Sequence, residues 1–263
     1  MRFNVLGPFE MLNDEGKPCT PHTPKVCQVL ALTLTRMNEM VPVEVFFQEL
    51  WGENPPRSAL TTVQTYVYHA RKLFVKEGLQ TTGRQLLVTR SPGYMIQIED
   101  HELDAAVFER LVQEGRKHLD ANEPGIAARK LREALGMWHG SALANIAVGP
   151  VLAAHISYLA EIRIWAAELR IEAEKRLGRH RELIPELRSL VGEYPFNEWF
   201  HGQLIDVLSL SGRRAEALQA YQALRGLLDD ELGMKPSVEI QRLQRQVLGD
   251  GDRSSLESHR SYA

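Results

Sequence analysis

Apolar and polar residues alternate differently before and after residue 100, and this change divides the chain. Residues 2–12 alternate loosely and are followed by turn-forming residues, which predicts short strands in a hairpin or small sheet. Helical spacing begins after Pro24 and ends near Asn38, and a second helix is predicted from Val43 to Trp51. The first half therefore opens with strands and continues with helices.

A third helix is predicted to begin at Ser58, because serine favours the N-cap position, and to run to about Glu77. The segment LLVTRSPGYMIQI then predicts two strands around a turn at Ser91-Pro92-Gly93. Strands, three helices and a closing hairpin follow one another in the order of a winged helix-turn-helix. We predict an α+β winged helix-turn-helix domain over residues 1–100.

After Asp100 the pattern is helical throughout. Gly178-Arg179 and Gly212-Arg213 stand 34 residues apart, the period of tetratricopeptide-like helix pairs. At the same offset Ile184 corresponds to Leu218. We predict an all-α, tetratricopeptide-like helical-hairpin domain over residues 101–248, followed by a disordered tail over 249–263 that lacks periodicity.

The formal net charge of −3 hides an uneven distribution of charge. One acid, Glu77, lies between residues 57 and 90, against six basic residues: Arg57, Arg71, Lys72, Lys76, Arg84 and Arg90. Residues 1–56 are mildly acidic. A cationic segment in an acidic chain orients one face toward a polyanion such as DNA.

On a helical wheel the third helix has an apolar side and a polar side. The apolar side is predicted to comprise Leu60, Val63, Val67, Ala70 and Phe74. The opposite side has no acid and comprises Thr61, Thr62, Thr65, His69, Lys72 and Lys76, with Tyr66 and Arg71 at its flanks. Small hydroxyl groups permit close approach to bases, and lysines reach phosphates, so this side suits the DNA major groove. The alternative interpretation is an ordinary solvated helix face.

Arg90 precedes the predicted hairpin tip, where it would either enter a minor groove or remain a solvated turn residue. Tyr94, beside Gly93, is predicted to pack in the core.

Other chemistries find little support in the sequence. Cys19 and Cys27 are too few for a disulfide framework and are predicted to be reduced thiols. The histidines lack a shared metal-ligand spacing, and the sequence has no phosphate-binding loop, nucleophile elbow or zinc-protease pair. We predict a protein that is not an enzyme and needs no cofactor. Without a run of about 18 apolar residues or a secretory signal, it is predicted to be cytoplasmic and nucleoid-associated.

Several segments resemble known regulators. TTVQTYVYHARKLF with VTRSPGYMI resembles the recognition helix and wing of response-regulator winged helices, and RFNVLGPFE joined to the second half resembles the Streptomyces antibiotic regulatory proteins. The segments LREALGMWHGSAL and DDELGMKPS resemble the bacterial transcriptional activation domain. The resemblance covers nearly the whole chain up to about Leu248.

This resemblance implies a transcriptional activator that binds double-stranded DNA at tandem direct repeats near promoters. It implies a homodimer that recruits RNA polymerase holoenzyme through its sigma factor and α subunit, for an antibiotic biosynthetic gene cluster. The resemblance also implies which residues contact DNA: Thr61, Thr62, Thr65, Tyr66, His69, Arg71, Lys72 and Arg90. His69 departs from the family, which commonly carries Arg there, and this leaves the preferred base open because neutral histidine cannot replace the arginine-guanine pair.

A second hypothesis remains: a helical-repeat adaptor that binds a protein partner, with an N-terminal domain that does not read DNA. Independently of this choice, a groove for a peptide or small molecule could be lined by Trp138, Trp165, Trp199 and Tyr221, although aromatic residues at helical spacing are more often core. The two hypotheses differ in whether they require the basic face of the third helix.

Overall fold

The structure, a computed structural model, describes residues 1–79 and 85–258. Its described part is mostly helical and divides into two compact units, Met1–Arg170 and Ile171–Ala263. Arg84, one of the basic residues noted above, lies outside the described residues.

The first unit opens with the predicted strand pair. Strands β1 (Arg2–Asn4) and β2 (Glu10–Leu12) are antiparallel, with Phe3 opposite Met11. Both of these side chains are fully buried, whereas Arg2 is exposed and Asn4 and Glu10 are half-buried. The loose alternation in the sequence thus gives one buried and one solvated side of a short ribbon.

Three helices and a hairpin follow in the predicted order. The helices are α1 (Pro24–Leu34), α2 (Val43–Trp51) and α3 (Ala59–Lys76). Strands β4 (Leu87–Arg90) and β5 (Gly93–Ile96) form the hairpin, and a short strand that the sequence analysis did not predict, β3 (Val41–Pro42), pairs with β5. Large buried side chains from these elements, Leu30, Phe46, Phe74 and Leu87 among them, fill a shared core.

The start of α3 differs from the prediction in one detail. Ser58 occupies the N-cap position, but its side chain makes no capping hydrogen bond. Instead, the backbone carbonyl of Ser58 accepts both the backbone N–H and the hydroxyl of Thr62, at 2.9 and 3.0 Å. Pro55 and Pro56 precede this turn and, together with Gly52, end α2 before it.

Helices α4 (Asp104–Asp120), α5 (Pro124–Leu135) and the first part of α6 (Pro150–Arg176) complete the first unit. Gly115 on α4 lets Leu131 of α5 approach closely, since an added Cβ would lie 2.5 Å from the Leu131 Cγ. Leu131 is fully buried as a result.

We predicted a boundary at residue 100, whereas the structure groups residues 101–170 with residues 1–100. The physical reason is a set of hydrogen bonds that join the two segments. The Asp104 carboxylate accepts the backbone N–H groups of Val5 and Leu6 at 2.9–3.0 Å. The Asn145 side chain accepts from the backbone N–H of Phe9 and donates to its carbonyl. That residues 1–100 bind DNA and residues 101–248 activate transcription stays a prediction.

The second unit contains α7 (His180–Glu193), α8 (Glu198–Leu210), α9 (Arg214–Leu232) and α10 (Val238–Ser258). Gly178 and Gly212 adopt positive φ, 74° and 78°, each in the turn before α7 or α9. Leu187 and Tyr221, which correspond at the predicted offset, are both buried. Ile184 is buried, but Leu218, its counterpart at the same offset, is only half-buried. The turns therefore repeat at the predicted 34-residue period, whereas the buried positions repeat only in part.

Helix α10 continues to Ser258, so residues 249–258 are helical where the sequence predicted a disordered tail. This segment lacks apolar periodicity, and its backbone nevertheless continues the helix. Residues 259–263 lie outside the described part. Within the described residues, no helix is both long and apolar enough to span a bilayer.

Candidate nucleic-acid interface

Helix α3 buries one stripe and exposes the rest of its surface. The buried residues are Ala59, Val63, Val67, Ala70 and Phe74. This confirms the predicted stripe except at Leu60, which is 46% exposed because Ala59 occupies the inward position at the first turn. The core of the first unit thus holds α3 along its whole length and fixes which side faces solvent.

The solvent side contains the predicted polar residues together with two that the wheel analysis missed. Thr61, Thr65, His69, Lys72 and Lys76 are exposed, as are Gln64 and Tyr68. Tyr68 is 60% exposed and its ring lies 5.6 Å from that of His69. A signal for both was present, because Gln64, Tyr68 and Lys72 follow one another at i, i+4 spacing.

Two threonine hydroxyls of α3, those of Thr62 and Thr65, already donate hydrogen bonds within the helix. Thr65 donates to the backbone carbonyl of Thr61 at 2.9 Å, as Thr62 does to that of Ser58. Such bonds leave the oxygen lone pairs and the methyl groups available. Thr65 is therefore equipped to accept a hydrogen bond or to contact an apolar group. Thr62 and Tyr66 lie half-buried at the flank.

Arg71 is bound to the hairpin. Its Nε donates to the Leu87 carbonyl and its Nη2 to the Thr89 hydroxyl, both at 2.9 Å. The guanidinium also lies 6.0 Å from the ring centroid of Tyr94. Tyr94 itself is buried and packs edge-on against Phe46, which confirms its predicted place in the core. Arg71 thus joins α3 to β4, a role that sequence reasoning missed.

Two further basic side chains are exposed in segments next to α3. Arg57 is exposed in the turn before the helix, and Arg90 is exposed at the end of β4, where it pairs with Gly93. An open groove beside β4 is lined by Arg71 and Arg90. Lys76 forms an ion pair with Glu77 at 3.4 Å, so the last turn of α3 is less cationic than its sequence suggests. The arrangement is suited to a polyanion.

Within the described part, the chain brings together no group of three metal-ligating side chains. Cys19 and Cys27 are free thiols, and burial raises the pKa of both, which keeps them in the less reactive protonated form. The aromatic residues considered for a groove are used in local packing: Trp138 contacts Phe108 edge-on and lies under Arg163, whereas Tyr221 of the second unit is buried.

Comparisons with known proteins agree on one family. The bacterial transcriptional activator domain matches residues 103–248. The regulatory protein DnrI of Streptomyces peucetius is 37% identical over 251 residues, which cover 94% of this chain and 92% of DnrI. The regulatory protein AfsR of Streptomyces griseus is 32% identical over 248 residues, but the chain spans only 24% of its length.

A solved structure extends the similarity to three dimensions. The structure of Mycobacterium tuberculosis EmbR in complex with a low affinity phosphopeptide superposes with a TM-score of 0.88 at 32% identity, over 95% of this chain and 65% of that one. The activator-domain match covers more than half of the chain, and the similarity to DnrI covers nearly all of it. The chain therefore belongs to the Streptomyces antibiotic regulatory proteins, a family of transcriptional activators.

Proposed function

We propose that residues 1–100 form a winged helix-turn-helix that reads double-stranded DNA, with α3 in the major groove and the β4–β5 hairpin as the wing. The observation that carries this proposal is the exposed side of α3, which has no acid between Thr61 and Lys76. Ordinary solvated helix faces mix both signs of charge, whereas DNA backbones select lysine and arginine.

The side chains of this surface fall into candidates for base contacts and candidates for phosphate contacts. Gln64, Thr65, Tyr68 and His69 are exposed in the first three turns and are our candidates for base contacts, because amide and hydroxyl groups pair with base edges. Lys72, Lys76, Arg57 and Arg90 are candidates for phosphate contacts. Thr61, Thr62 and Tyr66 would lie close to the backbone of one strand. Arg71, also predicted as a contact, would act mainly by holding the wing.

On this proposal, residues 101–248 provide the activating half and recruit RNA polymerase holoenzyme through its sigma factor and α subunit. Two protomers would associate on tandem direct repeats, head to tail, with half-sites near whole helical turns of about 10 to 10.5 bp. The similarity to DnrI supports control of an antibiotic biosynthetic gene cluster as the role of the chain. Such a protein would work in the cytoplasm, at the nucleoid.

Selection of bound sequences from random DNA, at moderate salt and with excess competitor, tests the proposal. We expect a directly repeated motif at helical-turn spacing, and the base opposite His69 should emerge from the same data. A variant with Lys72→Glu and Arg90→Glu, folded by circular dichroism, should recover no motif. If the folded wild-type protein selects no motif, the reader hypothesis fails and the adaptor hypothesis replaces it.

A further inference from the structure

A buried carboxylate joins helices α1 and α2 to the start of α6. Glu49 on α2 is only 3% exposed. Its Oε1 accepts the backbone N–H of Gly149 at 2.6 Å, and its Oε2 accepts those of Val151 and Leu152 at 3.0 Å each. Gln28 on α1 donates to the same carboxylate at 2.9 Å.

These bonds suit the start of a helix. The first N–H groups of a helix have no acceptor within the helix and lie at the positive end of its dipole. An ionised carboxylate satisfies them with charge-assisted bonds, which are stronger than neutral ones. Glu49 therefore caps α6 from another part of the chain, about 100 residues away in sequence.

The backbone at this junction leaves no room for adjustment. A Cβ at Gly149 would lie 2.1 Å from the Glu49 carbonyl oxygen, so the two backbones meet directly. The Gln28 amide donates to that same carbonyl oxygen at 3.2 Å. The junction thus joins α1, α2 and the start of α6 in one buried network, and the core under α2 also carries α3.

We propose that Glu49 is a positioning residue that fixes α3 relative to α4–α6 and thereby sets the allowed spacing between two half-sites. This inference rests on the proposed function. When α3 lies in the groove, the helices behind it take a fixed direction along the DNA. Two protomers on neighbouring repeats then contact each other only when the distance between their half-sites suits this direction. A looser junction at Glu49 should therefore tolerate a wider range of distances between half-sites.

The experiment compares wild-type protein with Glu49→Ala and the isosteric Glu49→Gln. Each protein is titrated against DNA with one selected half-site and against a series with two half-sites whose separation increases by single base pairs. We expect both variants to bind one half-site within about twofold of wild type and to lose about tenfold of the preference for the best separation. Glu49→Gln should show the smaller loss, because it retains one acceptor oxygen.

Leu131→Ala serves as the matched control, since it removes a buried side chain between α4 and α5 without touching Glu49. Amide exchange at Gly149, Val151 and Leu152 should accelerate in the Glu49 variants and not in the control. An unchanged separation profile despite faster exchange would overturn the inference, as would an equal loss in Leu131→Ala. If wild-type protein itself shows no preferred site, the proposed function fails instead.

Discussion

At the residue scale, the exposed side of α3 changes character along its length. Gln64, Thr65 and Tyr68 present amide, hydroxyl and aromatic groups, and Lys72 and Lys76 follow with positive charge. Lys76 forms an ion pair with Glu77, whereas Lys72 forms none with the residues that the structure describes. Lys72 is therefore the residue on which the phosphate-contact hypothesis is best tested.

We expect Lys72→Gln to weaken binding to all DNA sequences about equally, because a phosphate carries no base identity. The plot of log affinity against log salt should become shallower by about 0.9, the release of one counterion. Fluorescence anisotropy at several salt concentrations measures both effects. Lys17→Gln, which changes an exposed lysine paired with Glu15, is the control and should leave the slope unchanged. A wild-type slope in Lys72→Gln would remove Lys72 from the interface.

Two histidines, the half-buried His155 and the buried His201, make stability depend on pH. Burial lowers the pKa of His155 below its ordinary 6.5, and burial is also the largest cause of the lowered pKa of His201. The unfolded chain then binds more protons than the folded one as pH falls below about 6.5, so acid destabilises the fold. The stability is therefore fully present above pH 6.5. It is lost as pH falls below 6.5 and through the lower pKa that the histidine has in the folded protein.

His155→Gln should therefore flatten the fall in the free energy of unfolding of the first unit as pH falls below 6.5, because the unfolded variant takes up no extra proton at this position. Urea unfolding at a series of pH values measures this slope. The exposed His22, changed to Gln, is the control. If His155→Gln keeps the wild-type slope, His155 does not titrate differently in the folded state.

At the scale of elements, the hairpin depends on α3 for more than its neighbouring position. The two Arg71 hydrogen bonds end on the carbonyl of Leu87 and the side chain of Thr89, both on β4. Strand β5 pairs with β3 on one side and with β4 on the other. Arg71 thus sets the position of β4 against α3, which matters because Arg90 lies at the end of the same strand.

We expect Arg71→Met to speed amide exchange in β4 of the DNA-free protein and to lower the free energy of unfolding by about 1 to 3 kcal/mol, since bonds from a charged donor are lost. Hydrogen-exchange mass spectrometry and urea unfolding measure the two effects. Arg90→Met removes an exposed charge at the hairpin tip and should leave both unchanged. Equal exchange in wild type and Arg71→Met would show that Arg71 is not an anchor and would leave the direct phosphate contact as its role.

At the scale of the whole molecule, residues 1–100 are structurally continuous with the first activator-domain helices. Asp104 accepts the N–H groups of Val5 and Leu6, and Glu49 caps α6, so buried polar groups of each segment depend on the other. Unpaired buried polar groups are costly, and this favours a first unit that unfolds together.

Asp104→Ala tests that expectation, because it leaves the backbone N–H groups of Val5 and Leu6 without their acceptor. We expect a loss of about 2 to 3 kcal/mol and a joint loss of exchange protection in α1–α3 and α4–α5. Asp120→Ala, at the exposed end of α4, is the control. Loss of protection in only one segment would favour the domain boundary first predicted at residue 100.

The sequence by itself determined the order of the three helices and the closing hairpin of the first unit, the acid-free side of α3 and the repeated turns at Gly178 and Gly212. These features depend on residues a few positions apart, where periodicity, turn formers and charge can be compared directly. Only the tertiary structure decided that Glu49 caps α6, that Arg71 holds β4 and that residues 101–170 join the first unit. Each joins groups 16 to 136 positions apart, and such pairings depend on how the chain packs, which no local spacing encodes.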